Sequence, residues 1–147
     1  MHLSNDLREF IKLLNSRDVD YLIVGAYSLA FHARPRFTGD LDILIRPSTP
    51  NARKLMQVLQ EFGFTDSQIN ASDFTEPDQV IQLGRAPNRI DLLTSITGVT
   101  IGDAFSSKVS GDVDGLPVIF LSKELLIANK RAVGRPQDLA DLDALET

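Results

Sequence analysis

The sequence predicts an α+β fold, an α/β mixed sheet with flanking helices, and two observations carry this expectation. Segments with apolar residues three and four apart alternate with short β-branched runs, in the order helix, strand, helix, strand, helix, then several strands and two helices. The composition, 43% hydrophobic and 24% charged over 147 residues, is that of a globular chain able to build a core. One domain over 1–147 is the natural count at this length.

From Ser4 to Ser16, Leu7, Phe10, Ile11 and Leu14 recur on one helix face, with Ser4 or Asn5 placed to cap the start. Tyr21-Leu22-Ile23-Val24 then reads as a strand that stops at Gly25, and the segment from Ala26 to His32 has helical composition. Pro35 and Gly39 bound a loop, and Leu41 to Ile45 is a second strand closed by Arg46-Pro47. Thr49 at the cap and Pro50 at the first helical position open a third helix, which buries Leu55, Met56, Leu59 and Phe62 and ends at Gly63. Val80–Leu83 and Arg89–Leu93, separated by the five residues 84–88, have the pattern of a hairpin. Leu116–Leu121 is a further strand. Ser122 caps a helix from Lys123 to about Val133, Gly134-Arg135-Pro136 breaks it, and a last helix runs from Gln137 to Leu145. The helices over 122–147 are expected to pack on the same domain.

Composition excludes several function classes. The chain has no cysteine, which removes disulfides and Cys-ligated zinc or iron–sulfur sites and agrees with a cytoplasmic setting. No apolar run approaches the ~18 residues of a membrane span, and the N-terminus lacks a basic segment followed by an apolar one, so a soluble, untargeted chain with no membrane partner is expected. A formal charge of −5 argues against a duplex-DNA binder with a broad basic face.

Three aspartates contradict their local context. Asp40 and Asp42 open an otherwise Leu/Ile strand, although aspartate is a poor strand former. Strand alternation projects both from one face while Leu41, Ile43 and Ile45 cover the opposite, core-facing side. Asp91 has the same anomaly within Arg89-Ile90-Asp91-Leu92-Leu93. Carboxylates held together repel and raise one another's pKa unless a cation sits among them, and a hard cation such as Mg²⁺ takes such oxygen ligands. If the two strands are neighbours, the three side chains form a cluster able to hold two metals ~3.5–4 Å apart, the arrangement used in phosphoryl and nucleotidyl transfer. The competing reading of an isolated Asp-x-Asp is a solvated strand edge. Upstream, Gly25 sits at a strand-to-helix turn, where close backbone approach and free helix N–H groups attract an anion, although such turns also serve packing alone.

The run Val24-Gly25-Ala26-Tyr27-Ser28-Leu29-Ala30-Phe31-His32, followed by Arg36-Phe37-Thr38-Gly39-Asp40-Leu41-Asp42 and then Asp91, resembles the nucleotidyltransferase superfamily of polymerase-β-like fold. The Arg-x-Thr-x-Asp-x-Asp spacing and the C-terminal stretch from Lys130 to Leu142 look like its small prokaryotic branch, related to AbiEii-type toxins and minimal nucleotidyltransferases. The resemblance covers about Tyr21 to Leu145. It implies that Asp40, Asp42 and Asp91 are catalytic and bind Mg²⁺ or Mn²⁺, and that a nucleoside triphosphate lies at the turn of Gly25, Ala26 and Ser28. Arg36 and Thr38 match the branch pattern, either fixing the loop or meeting phosphate. Ala26 departs from the family's glycine or serine, so a hydroxyl is lost there that Ser28 would have to replace.

The implied activity is NMP transfer from an NTP to an acceptor hydroxyl on a protein, a tRNA end or a small molecule. The alternative is a protein that keeps the fold and binds a partner, such as a cognate toxin or antitoxin. Lys130, Arg131 and Arg135 cluster where the penultimate helix ends. Either they form a solvated end favoured by the helix dipole, or Lys130 reaches the triphosphate. His32 either lines the cleft or packs. Asp138, Asp141, Asp143 and Glu146 read as a solvated face. With Asp40, Asp42 and Asp91 set aside as ligands, 17 acids remain against 15 bases, so charge does not exclude a nucleic-acid acceptor.

Overall fold

Amphipathic periodicity and serine caps set the outer helices. The structure, a computed structural model, describes residues 1–35, 38–65 and 68–146. Helix α1 (Asn5–Ser16) starts where the Ser4 hydroxyl accepts from the Leu7 N–H, and it buries Leu7, Phe10, Ile11 and Leu14. Helix α3 (Thr49–Phe62) is capped by Ser48 rather than Thr49, because Ser48 keeps extended backbone and its hydroxyl accepts from the Asn51 N–H. Gly63, at φ 106°, closes it. Helix α5 (Lys123–Val133) is capped by Ser122 as expected, and α6 (Pro136–Glu146) follows after Gly134.

Between them β1 (Tyr21–Val24), α2 (Gly25–His32), β2 (Asp40–Ile45), β3 (Val80–Leu83), β4 (Arg89–Leu93), α4 (Ile101–Ser106), β5 (Val109–Val113) and β6 (Leu116–Phe120) complete the chain, with a short 3-10 turn at Ala71–Phe74. The strands form one six-stranded sheet in the order β3-β4-β2-β1-β6-β5. It is mixed: β1 runs antiparallel to β2 and parallel to β6, while β4 runs parallel to β2 and antiparallel to β3. Strand β5, absent from the sequence reading, reads Val-Ser-Gly-Asp-Val and has no apolar run. It is an edge strand paired only with β6, and Gly111 is required in it because a Cβ there would sit 2.6 Å from the Phe31 ring. That ring stacks on Phe120 at 4.0 Å.

The sheet is apolar on both faces. Tyr21, Ile23, Leu41, Ile43, Ile45, Ile90 and Leu92 pack with α1 and α3. On the other face Leu22, Val24, Leu44 and Leu121 pack with Leu29 of α2, Ala104 and Phe105 of α4, Leu126 of α5 and Leu145 of α6. Asp40 and Asp42 share this second face with Leu44, so the start of β2 carries the carboxylates and its end belongs to the core. No helix among the described residues is long and apolar enough to cross a membrane.

Candidate active site

Parallel pairing of β2 with β4 is what brings the unusual aspartates together. The register places Asp42 opposite Asp91 and Asp40 opposite Arg89, so all four side chains belong to one face of the sheet. One carboxylate oxygen from each of Asp40, Asp42 and Asp91 lies within 4.8 Å of the other two. Asp91 is buried, while Asp40 and Asp42 are half-buried.

The third strand supplies the turn. Val24 ends β1 opposite Asp42, and Gly25 follows at φ 68° as the first residue of α2. Only glycine fits, for a Cβ at this position would stand 2.2 Å from Asp42 Oδ2. Helices α1, α3, α4 and α5 each start with a serine or threonine hydroxyl bonded to a backbone N–H. Among the described residues helix α2 has no such side-chain cap, and its first N–H groups are open to another acceptor beside the carboxylates.

The electrostatics follow from crowding. Burial, then repulsion from Asp40 and Asp91, pushes the Asp42 carboxyl up to about 8. Burial also raises Asp91, against the opposing pull of its Arg89 hydrogen bond. Burial disfavours ionised Asp40 too, but there the hydrogen bond from Thr38 leads the stabilising contacts that hold its pKa below the ordinary value. Thr38 Oγ1 donates at 2.9 Å to Asp40 Oδ1, which makes it a residue that orients a carboxylate. Arg89 is the local cation: Nε donates to Asp91 Oδ1 at 3.0 Å, and Nη2 to Asp91 Oδ2 at 3.1 Å and Asp40 Oδ2 at 3.2 Å.

Residues 3–147 match the family described as "Nucleotidyl transferase of unknown function (DUF2204)". The chain belongs to this nucleotidyl transferase family. No curated protein sequence matches it significantly. Among solved structures, the "putative nucleotidyltransferase (TM1012)" from Thermotoga maritima aligns with a TM-score of 0.64 at 17% identity, covering 93% of this chain and 88% of that one. ANT(2")-Ia in complex with adenylyl-2"-tobramycin aligns at 0.58 and 12% identity, over 93% and 83%. The lincosamide antibiotic adenylyltransferase LnuA, lincomycin-bound, aligns at 0.58 and 12%, over 99% and 97%. At these identities the likeness is one of fold, and the fold is the nucleotidyltransferase fold that the sequence resemblance implied.

Other expected site residues of this nucleotidyl transferase have different surroundings. Ala26 and Thr38 line a cleft of about 210 Å³ beside the turn, together with Tyr27, Ala30 and Pro35. Tyr27 escaped the sequence reading; its hydroxyl pKa is raised by burial and by the negative charge of Asp40, which places it next to the carboxylates. Ser28 does not offer its hydroxyl to the cleft as a replacement for the one missing at Ala26. It is fully enclosed, and its Oγ has no hydrogen-bond partner among the described residues.

Lys130 is likewise not a free basic group at a helix end. Its Nζ is buried, 3.0 Å from Asp141 Oδ2 and 3.4 Å from Asp138 Oδ1. Asp138 and Asp141, read as solvated, are therefore buried partners, because three-residue spacing on α6 turns both towards Lys130 of α5. His32 follows the packing reading, with Nε2 2.7 Å from the Leu121 carbonyl oxygen. Arg36 lies outside the described residues.

Proposed function

We propose that this nucleotidyl transferase moves an NMP group from an NTP to an acceptor hydroxyl, with a divalent metal, Mg²⁺ or Mn²⁺, on Asp40, Asp42 and Asp91. The observation that carries the reading is the meeting of three carboxylates from two paired strands within 4.8 Å, beside a helix start without a side-chain cap. The donor set fits the metal: hard oxygen ligands, anionic and crowded enough that burial and the charges of Asp40 and Asp91 raise Asp42 to about 8. A metal held there would supply positive charge to the triphosphate and to the attacking oxygen.

The chain's own residues do the rest. The backbone N–H groups at Gly25 and Ala26 face the anionic phosphates, and Thr38 fixes Asp40. Asp91, opposite Asp42 across the β2–β4 ladder, accepts the proton of the acceptor hydroxyl. The acceptor oxygen bonds to the α-phosphorus, the bond from that phosphorus to the bridging oxygen breaks, and pyrophosphate leaves. The two solved adenylyltransferase-type neighbours support an adenylyl group and a small-molecule hydroxyl as the first pair to test.

The test incubates the protein with Mg²⁺, each of four labelled NTPs and a cell extract or a panel of hydroxylated small molecules. Label transfer is expected from one NTP and is expected to fall by two or more orders of magnitude in Asp42→Asn, on the scale of losing an electrostatic contact to the transition state. Transfer undiminished in Asp42→Asn would sink the metal assignment.

A further inference from the structure

Arg89 bridges two of the three carboxylates of the cluster, Asp40 and Asp91. Its position follows from the sheet: it faces Asp40 across the β2–β4 ladder and precedes Asp91 by two residues on the same side of β4. Its guanidinium takes both oxygens of Asp91, through Nε and Nη2, and the same Nη2 reaches Asp40 at 3.2 Å. Two of the three carboxylates are thus already bridged by a fixed positive charge. The side chain remains 37% exposed, so it has open space to move into.

Resting on the metal reading above, we infer that Arg89 is a built-in counter-cation of the carboxylate cluster, displaced when metal binds. It keeps the crowded carboxylates compatible with folding before loading. It also sets how readily the site fills, because a divalent ion must compete with it for Asp40 and Asp91. Released, the guanidinium stays tethered opposite Asp40 and two residues before Asp91, and becomes available to an incoming anion, a phosphate above all.

The test measures Mn²⁺ binding without nucleotide, at low salt and pH 8.5, by electron paramagnetic resonance on wild type, Arg89→Met, Arg89→Lys and Asp42→Asn. Arg89→Met keeps the length and removes the charge, and is expected to bind Mn²⁺ roughly tenfold tighter than wild type, since a like charge a few ångströms away is removed. Arg89→Lys should stay near wild type, and Asp42→Asn should lose binding. Equal or weaker binding in Arg89→Met, with Asp42→Asn still defective, overturns the role of Arg89 and leaves the metal site standing. If neither wild type nor Arg89→Met binds Mn²⁺, the metal reading fails and this inference with it. A measurement on the unaltered protein guards against misfolding of the variants. The Arg89 Nε–H resonance should be protected from exchange without metal and should shift and lose protection as Mg²⁺ saturates, whereas an unmoved, protected resonance at saturation refutes displacement.

Discussion

Gly25 joins backbone conformation to the chemistry of the site. An alanine there meets two obstacles, a left-handed φ of 68° and a carboxylate oxygen 2.2 Å from its Cβ. The backbone strain alone costs about 1–3 kcal/mol. Gly25→Ala is therefore expected to lower the urea midpoint and, because Asp42 has to move, to weaken Mn²⁺ binding as well. Loss of stability with unchanged metal affinity would show that Asp42 has room to shift. The aspartates themselves were legible in the sequence because they break strand propensity in two places. Arg89 was not, because an arginine at the start of a strand reads as solvated until the register sets it opposite Asp40. Nothing in the local pattern marked Ser28 as enclosed either, since its helix α2 packs against α5 and α6, more than 90 residues further along the chain.

At the scale of elements, the junction of α5 and α6 is held by Lys130 between Asp138 and Asp141, with Arg135 Nε 2.7 Å from Asp138. Lys130→Met removes the buried ammonium from between Asp138 and Asp141 and is expected to destabilise by about 1–3 kcal/mol, read as a fall in the denaturation midpoint. The same junction predicts an acid limb. The Arg135 hydrogen bond outweighs burial, and with the Arg135 N–H and Lys130 it holds Asp138 down to about 2, below the 3.8 of an ordinary aspartate. A lowered folded value means that the contribution is complete above about pH 4 and is lost as pH falls towards 2. Midpoints measured between pH 5 and pH 2 should show this loss in wild type and less of it in Asp138→Asn. The elements with apolar periodicity or β-branched runs were legible almost residue by residue, as β1 and α5 show. Helix α4 and strand β5 were not, for six residues of Ile-Gly-Asp-Ala-Phe-Ser and a polar edge strand carry no period to read.

For the whole molecule, the expected signature of function is linkage between ligand and folding. A nucleotide that binds only the folded chain, at 100 times its Kd, stabilises it by about 2.7 kcal/mol, which for a chain of this size raises the thermal midpoint by roughly 5–11 °C. The shift is expected for one NTP when Mg²⁺ is present and not without it. No shift with any of the four nucleotides would favour a partner-binding role over catalysis. The mixed sheet was legible as a class from the order of elements. Its strand order, which lays β4 beside β2 and so brings a third carboxylate to Asp42, required the three-dimensional structure.

The ladder between β2 and β4 has a consequence for how the chain tolerates insertions and deletions. An extra residue among 84–88 only lengthens a turn between two antiparallel strands. The same residue inserted between Ile90 and Asp91 reverses the alternation from there on, sending Asp91 opposite Ile43 into the apolar layer beneath α1 and α3 and leaving the inserted residue opposite Asp42. A one-codon insertion in that strand is expected to disrupt the packed face and the site together, whereas one in the turn leaves the alternation of β4 in place.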